Sequence, residues 1–125
     1  MRAPFGLSIT EGAAADLAAR VLRPRPEAAG LGLVVTPNVD HVVRLWRDAD
    51  FAGAYRRAAM VLCDGAPLHA YARARGWRVK RVTGCDLAAE VLARIRPGLR
   101  LFCVVDSEAT ATAVDAWAAA RGLAA

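Results

Sequence analysis

The chain has 125 residues, enough for one domain that buries roughly two-thirds of the surface its unfolded form exposes, and too few for two of ordinary size. Its apolar content of 56% owes much to Ala, and no apolar run approaches the ~18 residues that would cross a bilayer, which excludes an integral membrane helix. A net charge of +5 raises the question of an anionic partner, but the 17 basic residues are spread along the chain without an aromatic-interleaved stripe, which argues against a nucleic-acid surface.

In chain order, Arg2 is followed by Pro4, Gly6 and Glu11 instead of an apolar core, so the amino terminus does not read as a secretory signal and a cytoplasmic location is expected. Ser8-Ile9-Thr10-Glu11 has capping-box spacing and opens a predicted first helix reaching Val21 and Leu22, ended by Pro24 and Pro26. Leu31 to Val35 is nearly continuously apolar, as strands buried on both faces of a parallel sheet are. Asn38 or Asp40 can cap a second helix, with Val39, Val42, Val43 and Trp46 at helical spacing, and a third helix runs from about Asp50 to Ala59. Met60 to Cys63 is the second predicted strand. Asp64-Gly65-Ala66-Pro67 then turns into a helix ending near Gly76, with Pro67 suited to its first turn. Trp77 to Val82 reads as extended, and Thr83 or Asp86 starts a helix through Ile95 that Pro97-Gly98 stops. Leu99 to Val105 is the third predicted strand, and Ser107 caps a last helix, Glu108 to Arg121, before Gly122.

This alternation predicts an α/β, Rossmann-like fold: right-handed βαβ units making a mostly parallel sheet with helices on both faces. The pattern ends after a helix where another strand would follow, so the expectation is a single domain over residues 1–125 that stops before its last strands. Cys63, Cys85 and Cys103 are odd in number and lack Cys-x-x-Cys spacing, so no disulfide framework is expected. Cys63 and Cys103 lie in strand patterns and are expected to be buried, as are the three tryptophans, with Trp77 the best candidate for an exposed contact.

Chemistry-bearing residues gather where predicted strands end. Thr36 and Asn38 follow the first strand, Asp64 the second, and Arg81, Thr83 and Gly84 precede a helix. Ligands of open α/β sheets bind outside the carboxyl ends of strands, so these places belong to one rim. Asp64 suits a general base, with a turn or cap role as the plainer alternative. Thr83-Gly84 can present backbone amides to a phosphate beside the Arg81 cation. No dinucleotide or P-loop glycine fingerprint is present. Asp48-Ala49-Asp50 has metal-site spacing but follows a helix and reads as a cap; His41 and His69 are isolated, and no metal or other cofactor is expected. The densest basic segment, Arg73 to Arg81, contains no acid and reads either as a solvated helix end with its loop or as a surface for anionic lipid head groups or a pyrophosphate.

Taken as an ordered set, Thr36-Pro37-Asn38-Val39-Asp40-His41-Val42-Val43, then Asp64-Gly65, then Arg81-Val82-Thr83-Gly84-Cys85-Asp86-Leu87 resembles the WecG/TagA/CpsF family of bacterial glycosyltransferases, from about Pro4 to Ala120. The resemblance implies inverting, metal-independent transfer of a sugar of the N-acetylmannosamine type from a UDP-sugar to an undecaprenyl-diphosphate-linked acceptor, in cell-surface polysaccharide or teichoic-acid-type synthesis. It also implies peripheral residence on the inner face of the membrane. It casts Asp64 as the base that deprotonates the acceptor hydroxyl, Thr36 and Asn38 as pocket residues, and Arg81 as the diphosphate partner. The expected partners are thus the UDP-sugar and the lipid-linked acceptor, not nucleic acid, with homo-oligomerisation left open. The chain departs from the family where relatives carry a Gly pair after the third strand, since it has Val104-Val105-Asp106-Ser107 there. That departure, with the early end of the pattern, motivates the alternative, a non-catalytic nucleotide- or sugar-binding α/β module or an inactive fragment.

Overall fold

The computed structural model describes residues 4–26 and 30–123. Two compact units divide the chain, Met1–Leu92 and Ala93–Ala125. Among the described residues the fold is mixed α/β, and no helix is long and apolar enough to cross a membrane.

The first unit is built on a parallel pair of short strands, β1 (Val34–Val35) and β2 (Met60–Val61), with Val34 opposite Met60 and Val35 opposite Val61. The Leu33 carbonyl accepts from Ala59 N at 2.8 Å and the Val35 carbonyl from Leu62 N at 2.8 Å. β2 is satisfied on its other edge as well. Thr10 N donates to the Val61 carbonyl at 2.8 Å while Val61 N donates to Thr10 Oγ1 at 3.0 Å. Further on, a parallel bridge joins Cys63 to Arg81, with Val82 N donating to the Cys63 carbonyl at 3.1 Å. The helices α1 (Ala14–Val21), α2 (Val39–Leu45), α3 (Ala49–Arg56), α4 (Ala66–Ala74) and α5 (Gly84–Arg94) surround this framework.

Strand side chains alternate between faces, and the core divides accordingly. Met60 and Leu62 pack with Leu17 and Ala18 of α1 and Leu87 of α5, with Val34 alongside. Val61 points the other way and packs with Leu7 and Tyr55, where Val35, Leu45 of α2 and Phe51 of α3 join it. Helices therefore cover both faces of the strand pair, as the alternation of elements predicts. Burying a Leu or Met side chain in this way stabilises by about 1.5–3 kcal/mol relative to leaving it exposed.

Local sequence explains the helix starts. Asn38 caps α2 by accepting from His41 N at 3.0 Å, and Asp48 caps α3 by accepting from Phe51 N at 2.8 Å. The Asp48-Ala49-Asp50 stretch is thus a cap, and Arg44 pairs with Asp48 at 3.1 Å on its outer side. The first helix differs from expectation. Ser8 to Glu11 do not cap it; α1 starts at Ala14, where Asp16 Oδ2 accepts from Ala13 N at 3.4 Å. Thr10 is drawn instead to the edge of β2. Trp46 also departs from the expected core position, being 79% exposed just past the end of α2. A helix of only two turns has room for one inward stripe, and Leu45, partly buried against Tyr55 and Val61, takes it.

In the second unit α6 (Glu108–Ala119) begins at Ser107, whose Oγ accepts from Thr110 N at 3.2 Å. Leu123 N returns to the Ala118 carbonyl at 3.0 Å across Gly122, whose φ of 64° needs a residue without a Cβ. The third predicted strand is overturned here. Among the described residues no strand forms over Leu99–Val105, where Arg100 alone takes part in an isolated bridge. Phe102 is 90% and Val104 87% exposed, and Cys103 is exposed where burial was expected. An apolar run becomes a strand only when another backbone offers a ladder, and this run is not in one.

Candidate functional site

The carboxyl end of β2 carries the site. Leu62 and Cys63 are buried between the helix layers, so the chain emerges at Asp64 with its backbone direction set by the core beneath it. Asp64 is half-buried, and Gly65 then opens α4 with Pro67 in the first turn.

Contacts tie two further segments, 36–38 and 81–84, to the Asp64 turn. Arg81 Nε donates to the Asp64 carbonyl at 2.9 Å, and Gly84 N reaches Asp64 Oδ2 at 3.5 Å, a long bond from the first turn of α5. A Cβ at Gly84 would stand 3.3 Å from Thr36 Cγ2, and one at Gly65 would stand 3.4 Å from Asn38 Cα. These are close approaches. They put the ends of β1 and β2 against the starts of α4 and α5, with Gly84 seated against the Thr36 side chain and Gly65 against the Asn38 backbone. Thr36, Asn38, Asp64, Arg81, Thr83 and Gly84, taken from three sequence regions, are therefore brought to one rim.

Each has a structural duty that limits what it can offer a ligand. Asn38 Oδ1 is committed to the α2 cap. Thr83 and Asp86 cap α5 reciprocally: Asp86 N donates to Thr83 Oγ1 at 3.0 Å and Thr83 N to Asp86 Oδ2 at 3.1 Å. The Thr83 hydroxyl and backbone hydrogen bonds hold the Asp86 carboxyl below the usual carboxylate range. Gly84 N is the amide aimed into the rim, and the Asp64 carboxylate holds it. Arg81 keeps its terminal guanidinium nitrogens exposed, free of any hydrogen bond or ion pair among the described residues. Asp64 Oδ1 is likewise unengaged among them.

The rim thus combines a carboxylate with a free oxygen, a cation held against that residue's own backbone, and a helix start. A family model described as glycosyl transferase WecG/TagA/CpsF family matches residues 2–122. The chain belongs to that family. Membership makes glycosyl transfer, with a sugar donor and an acceptor, its class of activity. No curated protein and no solved structure matches the chain.

Sequence reading passed over two partnerships near this rim. His41, taken as an isolated histidine, places Nδ1 2.8 Å from the Tyr55 hydroxyl and lies edge-on to Phe51, with ring centroids 5.6 Å apart. Burial raises the Tyr55 phenol above its ordinary value and keeps it a neutral partner. His69 places Nε2 3.0 Å from the Val79 carbonyl and so anchors the loop that delivers Arg81. Neither pair has a local signal, because the partners lie 14 and 10 residues apart in different elements. Among the described residues no group of three or more His, Cys, Asp or Glu is arranged to hold a metal ion.

Proposed function

We propose that this family member is an inverting transferase that uses Asp64 as base. In this reading Asp64 Oδ1 takes the proton of an acceptor hydroxyl as that oxygen attacks the anomeric carbon of a UDP-sugar. The bond from that carbon to the diphosphate breaks on the opposite face, and the electron pair leaves with UDP. The Arg81 guanidinium steadies the departing diphosphate, while Gly84 N, now held by Asp64, becomes available to it as the carboxylate turns toward the acceptor. Thr36 and Asn38 line the sugar pocket, and Thr83 keeps the α5 start rigid.

The observation that carries this reading is the juxtaposition at Asp64: a half-buried carboxylate with one unengaged oxygen, its carbonyl fastened to Arg81. The family resemblance supports an N-acetylmannosamine-type sugar and an undecaprenyl-diphosphate-linked acceptor, as in cell-surface polysaccharide or teichoic-acid-type synthesis, with the enzyme peripheral on the inner membrane face. Metal independence belongs to the same proposal. Asp48 of the Asp-x-Asp pair already spends Oδ1 on Phe51 N and Oδ2 on Arg44, and Arg81 offers the leaving group a positive charge.

The test is Asp64→Asn assayed with UDP-sugar and a lipid-linked acceptor. Turnover should fall by roughly 10²–10⁴-fold, the range of a general base, with UDP binding nearly unchanged. Turnover close to wild type would remove Asp64 from the chemistry, and unchanged rates in excess chelator would uphold metal independence.

A further inference from the structure

Charge is distributed unevenly in this chain. From Gly65 to Cys85 there is no acidic residue, and the five cations there, Arg73, Arg75, Arg78, Lys80 and Arg81, equal the net charge of the whole molecule. The remaining basic and acidic residues balance. Four of the five, together with Trp77, line an open groove of about 960 Å³ beside the last turn of α4, in which Glu11 is the lone acid. Among the described residues none of the five forms an ion pair with a carboxylate.

A helix end accounts for part of this. Arg73 and Arg75 stand at the carboxyl terminus of α4, where cations suit the helix dipole. Arg78, Lys80 and Arg81 lie beyond it, in a loop fixed by Trp77 N donating to the Ala72 carbonyl at 3.0 Å and by His69 on Val79. Aromatic rings flank the same face. Phe5 stacks on Tyr71 at 5.0 Å between centroids, Tyr71 meets Trp77 at 6.0 Å, and the Arg75 guanidinium lies 6.0 Å from the Trp77 ring. Tyr71 is exposed and Trp77 half-buried.

We infer that the α4 end and the Gly76–Arg81 loop form a docking surface for an anionic lipid bilayer, with phosphate head groups in the groove and the Tyr71–Trp77 edge at the head-group level. Two independent features support a bilayer over a soluble phosphate. The groove is wide and open, whereas small-ligand sites enclose most of their ligand. Unpaired cations beside amphipathic rings also match what head-group regions attract, each cation near the surface adding to the binding. Arg81 belongs to both groove and rim, so a bilayer seated here would lie next to Asp64. The inference rests on the transferase reading for its purpose, since the acceptor there is membrane-borne, but not for its evidence.

The test is sedimentation of the chain with vesicles, without sugar or nucleotide. Wild type should bind phosphatidylglycerol vesicles, release them as salt is raised, and ignore pure phosphatidylcholine. Equal binding to both compositions, or binding to neither, overturns the inference without recourse to any variant. Arg73→Gln/Arg78→Gln/Lys80→Gln should weaken binding on the order of 100-fold, whereas Arg73→Lys/Arg78→Lys should keep it. Undiminished binding by the Gln variant overturns the surface assignment. Saturable binding of inorganic pyrophosphate that strips wild type from the vesicles would assign the groove to a soluble phosphate instead. Because no turnover is measured, Asp64→Asn should sediment like wild type, and a failed transferase reading would leave this result standing.

Discussion

Met60-Val61-Leu62-Cys63 and Leu99-Arg100-Leu101-Phe102-Cys103-Val104-Val105 carry nearly the same message in sequence, and the structure treats them oppositely. The first is buried throughout, with hydrogen-bond partners on both edges and helices on both faces. The second holds no strand among the described residues and turns Phe102 and Val104 outward. Hydrophobicity is common to both, so it cannot be what decides. What differs is the supply of backbone partners: Leu33, Val35, Thr10 and Val82 all meet the first run from elsewhere in the chain.

The largest test of this contrast is truncation in each run. Leu62, only 1% exposed, should cost about 2–5 kcal/mol as Leu62→Ala, while Phe102→Ala should stay within about 0.5 kcal/mol. Urea unfolding curves of the two variants decide it, and equal losses would erase the distinction. Next, Thr10→Val removes the acceptor of the buried Val61 N and should cost about 1–3 kcal/mol, showing that edge partners hold the first run in place. Denaturation alongside Ser8→Ala, an exposed neighbour, provides the control. Ser107→Ala should remove about 1 kcal/mol, visible as faster amide exchange in the first turn of α6 and not in α5.

The smallest effect separates the two units by pH. Asp86 has its proton affinity lowered in the fold, so its contribution is fully present above the ordinary value of 3.8 and disappears as pH falls through its lower folded value. Acid titration followed at the Thr83 amide should show the α5 start loosening in that window. Ser107, a hydroxyl cap, has no proton to gain there. Synchronous loosening of both helix starts would point to global acid unfolding.

Local signals proved readable. Asn38, Asp48, Ser107 and the Thr83–Asp86 pair act within three residues of themselves, and sequence spacing found the helices they start. The convergence of Thr36, Asn38, Asp64, Arg81 and Gly84 was readable too, because parallel strands must end on a common rim. What escaped depends on distance along the chain. Thr10 looked like part of a cap because its true partner, Val61, is 51 residues away. Trp46 fell on the periodic stripe of α2, but periodicity does not say how far a stripe extends past the last turn. Leu99–Val105 had the apolar pattern of a strand, but beyond the bridge at Arg100 it pairs in no ladder among the described residues.

The three free thiols sample these environments separately, which makes the chain its own stopwatch. Cys85 and Cys103 are exposed and open to a thiol reagent in the native ensemble, whereas Cys63 is buried and its thiol is pushed up by that burial. Cys63 can react only when the end of β2 lifts away from its neighbours, so its labelling rate relative to Cys103 measures how often that opening happens. It directly precedes Asp64. A ligand that fastens the rim should therefore slow the Cys63 alkylation and leave that of Cys103 alone, reporting occupancy before any product is made.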